Sequence, residues 1–351
     1  MLTIDGSFGE GGGQILRSSL TLSLLTGTAF EIERIRAGRK QSGLRPQHLR
    51  AVAAAATISS ARVEGAEIGS QRLRFEPGKI KPGRYYFKIG TAGSTSLVLH
   101  TVHLPLALAE GRSVVEIAGG THVPFSPTFD YLSEQWLWAL RLMDLSAQLT
   151  LERAGFYPKG GGAIRAEILP QAGRPIRPMM LTYRGSLVEV TGTSAVANLP
   201  ASVGERQTRR AARRLAGAGI ANRIETVSLP AVGKCTAVCL VARFAHTQAC
   251  HTALGAPGKP AERVADEAAD AFFAHLETRA CLDRYLADQV LLPLALAEGP
   301  SAFTTSRVTD HLRTNAEVIR QFLPARIEIE PRPDGSGLVQ VGPAGGTRHP
   351  A

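Results

Sequence analysis

One histidine in this chain stands where it could attack phosphorus. His311 lies in RVTDHLRTN, residues 307–315, at a junction where a strand gives way to a helix. A lone histidine is more often a satisfied core or surface residue. A neutral imidazole near pH 7 is nonetheless a competent nucleophile, and a phosphoramidate on it is reactive because the ring leaves readily once protonated. Asp288, in YLADQ at 285–289, could hold such a ring or contact a bound nucleotide.

Phosphate chemistry also needs positive charge, and two segments offer it. GEGGGQ at 9–14 is a glycine-rich turn running into an apolar-periodic segment. Glycines let a ligand approach the backbone, and the N-terminus of the following helix presents unpaired N–H groups to an anion. Glu10 beside it suits a metal that rides on phosphate oxygens. The turn matches neither G-x-x-x-x-G-K-[ST] nor G-x-G-x-x-G, and a purely structural turn would use the same glycines. The second segment is a basic cluster: Arg17, Arg34, Arg36, Arg39, Lys40, Arg45, His48 and Arg50. Most of these could form a solvated face. Arg17 differs, because it sits among Ile15, Leu16 and Leu20 and a partly buried guanidinium needs an anionic partner. A further glycine run, GFYPKGGG at 155–162, reads as a hairpin turn.

The bulk composition agrees with a polyanion binder. The 351 residues carry a formal charge of +10, with 44% hydrophobic and 20% charged residues, so the chain is globular and basic. No apolar run reaches membrane-span length and the N-terminus lacks a signal-peptide pattern, which makes a cytoplasmic protein without membrane contact the expectation. Four cysteines are too few and scattered for a disulfide framework. Cys235 and Cys239 with His246 and His251 fit no standard zinc spacing, so they read as ordinary thiols of a half-buried strand.

Elements that would position these residues follow from periodicity. A strand at 2–5, a helix over 14–25, a strand at 29–36, a helix over 46–60 and strands at 71–76 and 84–88 make one β-α-β-α-β-β unit. A second runs through a helix opened by TAGST at 91–95, a strand at 113–118, a helix near 128–143 and strands at 147–152 and 163–169. The heptapeptide PLALAEG occurs at 105–111 and again at 293–299, each time closing a helix, which marks an internal repeat. The expected architecture is therefore α/β, built of α+β repeats. Three such units form a large domain, with a smaller α/β domain inserted in the third. Residues 1–184 hold repeats one and two, 185–275 the insert, 276–341 the third repeat and 342–351 a loose tail. Within the insert a strand at 186–197 precedes a basic helix over 201–217, strands follow near 222–229 and 235–245, and a long helix spans 261–280.

Taken in order, GEGGGQILRSSL, IRAGR, GLRPQHL, GSQRL, GFYPKGGG, YLADQ and HLRTN resemble the RNA 3′-terminal phosphate cyclases. The resemblance spans almost the whole chain and is weakest over 185–275. It implies ATP and a divalent metal, magnesium or manganese, and RNA 3′-phosphate ends as substrate. It also implies a reaction in which a histidine takes AMP, passes it to the RNA 3′-phosphate, and the neighbouring 2′-hydroxyl closes a 2′,3′-cyclic phosphate. By motif, His311 matches the adenylylated nucleophile and Glu10 the residue near the metal and triphosphate. Tyr285, Leu286, Ala287, Asp288 and Gln289 match the nucleotide-contacting segment, and Pro127 a proline packing on adenine. Arg17, Arg36, Arg39, Gln47 and His48 match positions expected to grip phosphates of ATP or RNA. His100 stands where a glutamine is common in the nucleotide site, and Ala154 where a basic residue is usual.

Two other readings use the same repeats. A non-catalytic RNA-binding or ribosome-assembly factor would bind RNA without AMP transfer and would not need His311. A carboxyvinyl-transfer enzyme would need a small-molecule phosphate site and no covalent nucleotide. Arg206, Arg209, Arg210, Arg213 and Arg214 on the 201–217 helix could track an RNA backbone, or form a solvated face.

Overall fold

The computed structural model describes residues 1–343. Its first unit runs β1 (Leu2–Asp5), α1 (Gly13–Thr26), β2 (Phe30–Glu33), α2 (Pro46–Ser59), β3 (Arg62–Glu64) and β4 (Leu73–Glu76). Helix α1 buries Ile15, Leu16, Leu20, Leu22 and Leu24 and stops at Gly27, whose left-handed backbone lets its N–H bond Ser23 O. Helix α2 starts on Pro46, whose missing N–H costs nothing in a first turn.

The second unit is β5 (Arg84–Lys88), α3 (Thr95–Ala107), β6 (Ser113–Gly119), α4 (Phe129–Tyr131) continuing through a π-turn (Leu132–Trp136) into α5 (Leu137–Leu142), then β7 (Ala147–Arg153) and β8 (Gly162–Ile168). The third opens with β9 (Met180–Leu181). It is interrupted by β10 (Leu187–Ala197), α6 (Ala201–Gly217), β11 (Asn222–Ser228), β12 (Cys235–Phe244), β13 (Gln248–Leu254) and α7 (Ala261–Glu277). It resumes with α8 (Leu286–Ala295), β14 (Ser301–Thr305), α9 (Asp310–Phe322), β15 (Ala325–Pro331) and β16 (Gly337–Pro343).

The three units share one topology. Their sheets are ordered β1-β2-β4-β3, β5-β6-β8-β7 and β9-β14-β16-β15. In each, the first two strands are parallel, joined across a helix as parallel strands must be, and the other pairings are antiparallel. PLALAEG occupies the same place in units two and three. Pro105 and Pro293 each lie two residues before the end of their helix, where a missing N–H and the ring clash help to stop it. The interrupting segment forms its own sheet, β11-β10-β12-β13.

Strand assignment departs from the sequence reading at three places. Arg84–Lys88 opens the second sheet rather than closing the first, whose missing strand is Arg62–Glu64. That strand has three residues with charged ends exposed at a sheet edge, so it carries no apolar alternation to read. Strand β13 was also not foreseen, because Cys, His and Thr interrupt its apolar pattern. Gly342 and Pro343 end β16 rather than beginning a tail, and the rest of 342–351 lies outside the described residues.

A single buried cluster draws on all three repeated sheets, with Phe30, Phe75, Leu99, Ile117, Leu291 and Phe303 among its members. The interrupting segment buries a separate one around Val190, Leu240, Ala268 and Phe272. It docks on the second unit where Tyr131 packs with Cys239, Val241 and Cys250, and where Gln135 Nε2 donates to Gln248 O at 3.0 Å. Cys239 and Cys250 are free thiols with Sγ atoms 3.4 Å apart. Among the described residues no three His, Cys, Asp or Glu side chains group as a metal site, and no helix is long and apolar enough to cross a membrane.

Candidate active site

Four helices from three units converge on one cavity of about 820 Å³. The N-terminal turn of α1 brings Gln14 and Arg17, α3 brings His100 and His103, α8 brings Asp288 and Gln289, and the start of α9 brings His311 and Asn315. Helix N-termini carry partial positive charge and unpaired N–H groups, so this convergence suits an anion.

Helix α9 presents His311 by local means. Thr309 caps it, its hydroxyl accepting from Leu312 N at 3.1 Å, which holds the imidazole in the first turn. The His311 side chain is half exposed, and its Nδ1 lies 3.6 Å from Glu10 Oε1. Glu10, not Asp288, is therefore the carboxylate beside the ring. The same helix face carries Thr314 and Asn315, three and four residues on. Thr314 Oγ1 accepts from Glu10 N at 3.2 Å. Asn315 donates to Asp288 O at 2.7 Å and accepts from Ser18 Oγ at 2.6 Å. One helical face thus ties the glycine turn, α1 and α8 to the histidine.

The glycines of the turn leave room for side chains that pack closely against it. A Cβ at Gly12 would collide with the Glu10 carboxylate, and one at Gly13 with His48 Nε2 and the Arg17 guanidinium. Glu10 is almost fully buried, and Arg39 ion-pairs with its carboxylate while donating to its carbonyl at 2.9 Å.

Arg17 donates to Gln14 Oε1 at 3.1 Å and pairs with no carboxylate among the described residues. Burial lowers its pKa to about 10, with Glu10 and Asp288 opposing the shift, so it remains charged at neutral pH. A desolvated cation with one neutral partner is a receptor for an anion. His48 backs it from α2. Its Nδ1 accepts from Arg45 N at 3.1 Å, which leaves Nε2 to carry the proton toward Gly13. Burial first, then Arg17, Arg36 and Arg45, push its pKa down to about 3, so it is a neutral donor across the physiological range.

Asp288 is the deep acid of the cavity. Burial raises its pKa to about 7, reinforced by Asp283 and Glu10 and opposed by its backbone and Arg17. Asp283, which the sequence reading passed over, caps α8. Its carboxylate accepts from Tyr285 N at 2.8 Å, Leu286 N at 3.1 Å and the Tyr131 hydroxyl at 2.9 Å. Burial outweighs these bonds and lifts its pKa to about 6. Its position just before a helical apolar run was the available signal.

At the apolar end, His100 and His103 flank Trp136 of the π-turn, with ring centroids 4.8 and 4.7 Å apart from the indole. Both Nε2 atoms are buried without a hydrogen-bond partner among the described residues, and burial lowers both pKa values to about 3. Two neutral imidazoles on an aromatic wall can hydrogen-bond a polar planar ligand. Helical i, i+3 spacing from His100 pointed to His103, but nothing in the sequence singled out Trp136.

The cavity gathers Glu10, Arg17, Arg39, His100, Pro127, Tyr285, Asp288, Gln289 and His311. Leu286 and Ala287 are fully buried in the core behind it. Arg36 lies outside its lining and donates to Gln41 O and Gly43 O at 2.8 and 3.0 Å. Gln47 also lies outside, against the loop at Gly93. His48 reaches the site only through Gly13 and Arg17.

The family model described as RNA 3′-terminal phosphate cyclase matches residues 8–329. The chain belongs to the RNA 3′-terminal phosphate cyclase family. The RNA 3′-terminal phosphate cyclase of Methylococcus capsulatus is 48% identical over 354 residues, covering 98% of each chain. That of Ralstonia nicotianae is 47% identical over 97% of each. One from Caldivirga maquilingensis is 43% identical over 93% of this chain and 94% of its own. The family match thus includes the segment between β9 and α8, where the motifs were weakest.

The basic helix of that segment, read as an RNA track or a solvated face, places most of its arginines against α7. Arg206 pairs with Glu262 at 2.7 Å, Arg210 with Asp266 at 2.8 Å and Arg214 with Asp270 at 2.6 Å, all on α7. Arg209 faces Glu205 at 3.6 Å. Most of the charge read as an RNA track is committed to joining two helices.

Proposed function

We propose that this chain is an RNA 3′-terminal phosphate cyclase that uses ATP and works through AMP on His311. The single observation that carries the reading is that the His311 ring shares its cavity with Glu10, the Arg17 guanidinium and the N-termini of α1, α8 and α9. A nucleophile, anion receptors and a carboxylate thus meet at one place.

Nδ1 faces Glu10, which leaves Nε2 on the far side of the ring as the attacking nitrogen. Nε2 bonds to the α-phosphorus of ATP, and the bond to pyrophosphate breaks. A 3′-phosphate oxygen of the RNA then takes the AMP as the phosphorus–nitrogen bond breaks. The neighbouring 2′-hydroxyl, losing its proton, attacks the 3′-phosphorus and expels AMP. That closure is intramolecular, so proximity supplies much of its rate. Arg17, His48 Nε2–H and the α1 N-terminus would steady the charge that develops on the transferring phosphates. His100, His103, Pro127, Tyr285 and Gln289 would bound the nucleoside.

Glu10 is the carboxylate beside the His311 ring that would hold a divalent ion at the phosphates, and no group of three or more His, Cys, Asp or Glu ligands exists among the described residues. That fits magnesium or manganese, which are commonly held by one or two carboxylates plus substrate phosphate and water. Bound there, the ion would neutralise triphosphate charge. Glu10 meanwhile orients the imidazole, and Thr314 and Arg39 hold Glu10.

The test is incubation with α-labelled ATP and magnesium or manganese. An acid-labile label on wild-type protein, absent from His311→Ala, is expected. Label that survives that substitution, or none on the wild type, would sink the nucleophile assignment. RNA binding without any label would favour the assembly-factor reading.

A further inference from the structure

The loop at the cavity mouth holds a residue that the phosphate chemistry leaves unused. Phe125 lines the cavity, yet its ring is fully exposed. Its backbone has φ 62°, the left-handed region that L side chains enter at a cost. Glycine would fill this turn without strain and without an aromatic ring in water, so neither the turn nor the core accounts for phenylalanine here.

The turn that carries the ring is held from both sides. Thr121 Oγ1 accepts from Gly155 N at 2.9 Å and meets His122 Nδ1 at 2.7 Å, and His122 Nε2 meets Asp130 at 2.8 Å. On the other side Ser96 Oγ donates to Pro127 O at 2.7 Å, and Ser126 Oγ closes the turn onto Val123 O at 3.2 Å.

We propose that Phe125 is the stacking platform for the 3′-terminal nucleobase of the RNA substrate. The proposal rests on the cyclase reading above. An RNA end that receives AMP from His311 must bring its terminal phosphate into the cavity, which keeps the base of the same nucleotide at the mouth. A flat exposed ring suits that base whatever its identity, because every nucleobase has a stacking face. Hydrogen-bond readout would select one base, and the exposed edge of Phe125 offers no donor or acceptor.

The experiment uses full-length protein and a short RNA with 2-aminopurine as its 3′-terminal, 3′-phosphorylated nucleotide. Binding to the wild type should quench the probe, as stacking does. Phe125→Tyr should keep the quench. Phe125→Ala should lose it and raise the KM for RNA on the order of tenfold, the effect of losing one stacked base. Self-adenylylation should be unchanged in both variants. Phe125→Gly, which also relieves the turn, should behave as Phe125→Ala while melting no lower than wild type. Unchanged quench and KM in Phe125→Ala would overturn the proposal. So would lost self-adenylylation with an unchanged KM for RNA, since the ring would then serve the base of ATP. Wild-type protein that quenches the probe but forms no protein–AMP would refute the cyclase reading and leave the platform standing.

Discussion

Asp288 is a carboxyl whose fold prefers it uncharged. Its pKa of about 7 lies above the free-chain value of 3.8, because burial penalises the carboxylate. Between those values the folded chain keeps a proton that the unfolded chain has lost. The associated stability is complete below about pH 4 and is lost as pH rises through about 7. Asp288→Asn stays neutral throughout, so it should melt with wild type at pH 4 and above it at pH 8. The difference should be on the order of a few kcal/mol, at about 1.4 kcal/mol per unit of pKa. A melting difference that is the same at both pH values would show that Asp288 does not titrate between them. Activity should move oppositely, since the variant replaces a carboxyl oxygen of the candidate site with an amide N–H₂. At this scale the sequence showed which side chains could react, but not their protonation. The low pKa of His48 and the raised one of Asp288 come first from burial, then from charges both near in the chain, Arg45 and Asp283, and far from it, Arg17 and Glu10.

Helices decide which of those side chains act together. HLRTN was legible as the setting of a candidate nucleophile, and its i, i+3, i+4 spacing puts His311, Thr314 and Asn315 on one face of α9. What that face meets was not legible, because Ser18 is 297 residues from Asn315 in the chain. The α6–α7 pair shows the opposite limit. Five arginines on one helix read as a polyanion track, while the carboxylates answering them lie 56 residues on, at Glu262, Asp266 and Asp270. These pairs bridge the helices end to end. Arg210→Glu should therefore lower the melting temperature of the full chain, and added salt should narrow the deficit, because exposed charges are screened. An unchanged melting curve at low salt would show the ladder to be idle. RNA-end affinity should respond little to the same change.

Across the whole molecule, charge and symmetry set the frame for the site. With a formal charge of +10, affinity for a 3′-phosphorylated RNA should fall linearly on a log–log plot against salt. Arg17→Gln should flatten that slope by about one phosphate contact. Salt-independent affinity would remove the electrostatic account of RNA binding. The threefold use of one strand order makes a body whose first helices, α1, α3 and α8, meet beside α9. Each unit supplies part of the cavity and none supplies all of it.

By itself the sequence determined the α/β class, the repeat through PLALAEG, most helices, the glycine turn with Glu10, and which histidine is the candidate nucleophile. These are local properties, set by periodicity, by turn chemistry and by side-chain type. The tertiary structure alone decided that Glu10 rather than Asp288 flanks His311, that Arg17 lacks a carboxylate partner, and that Trp136 stands between His100 and His103. It also decided that the charges of α6 are spent on α7. The physical reason is distance along the chain. Burial and charge neighbours that set an ionisable group's state come from elements packed in space, and no window of sequence contains them.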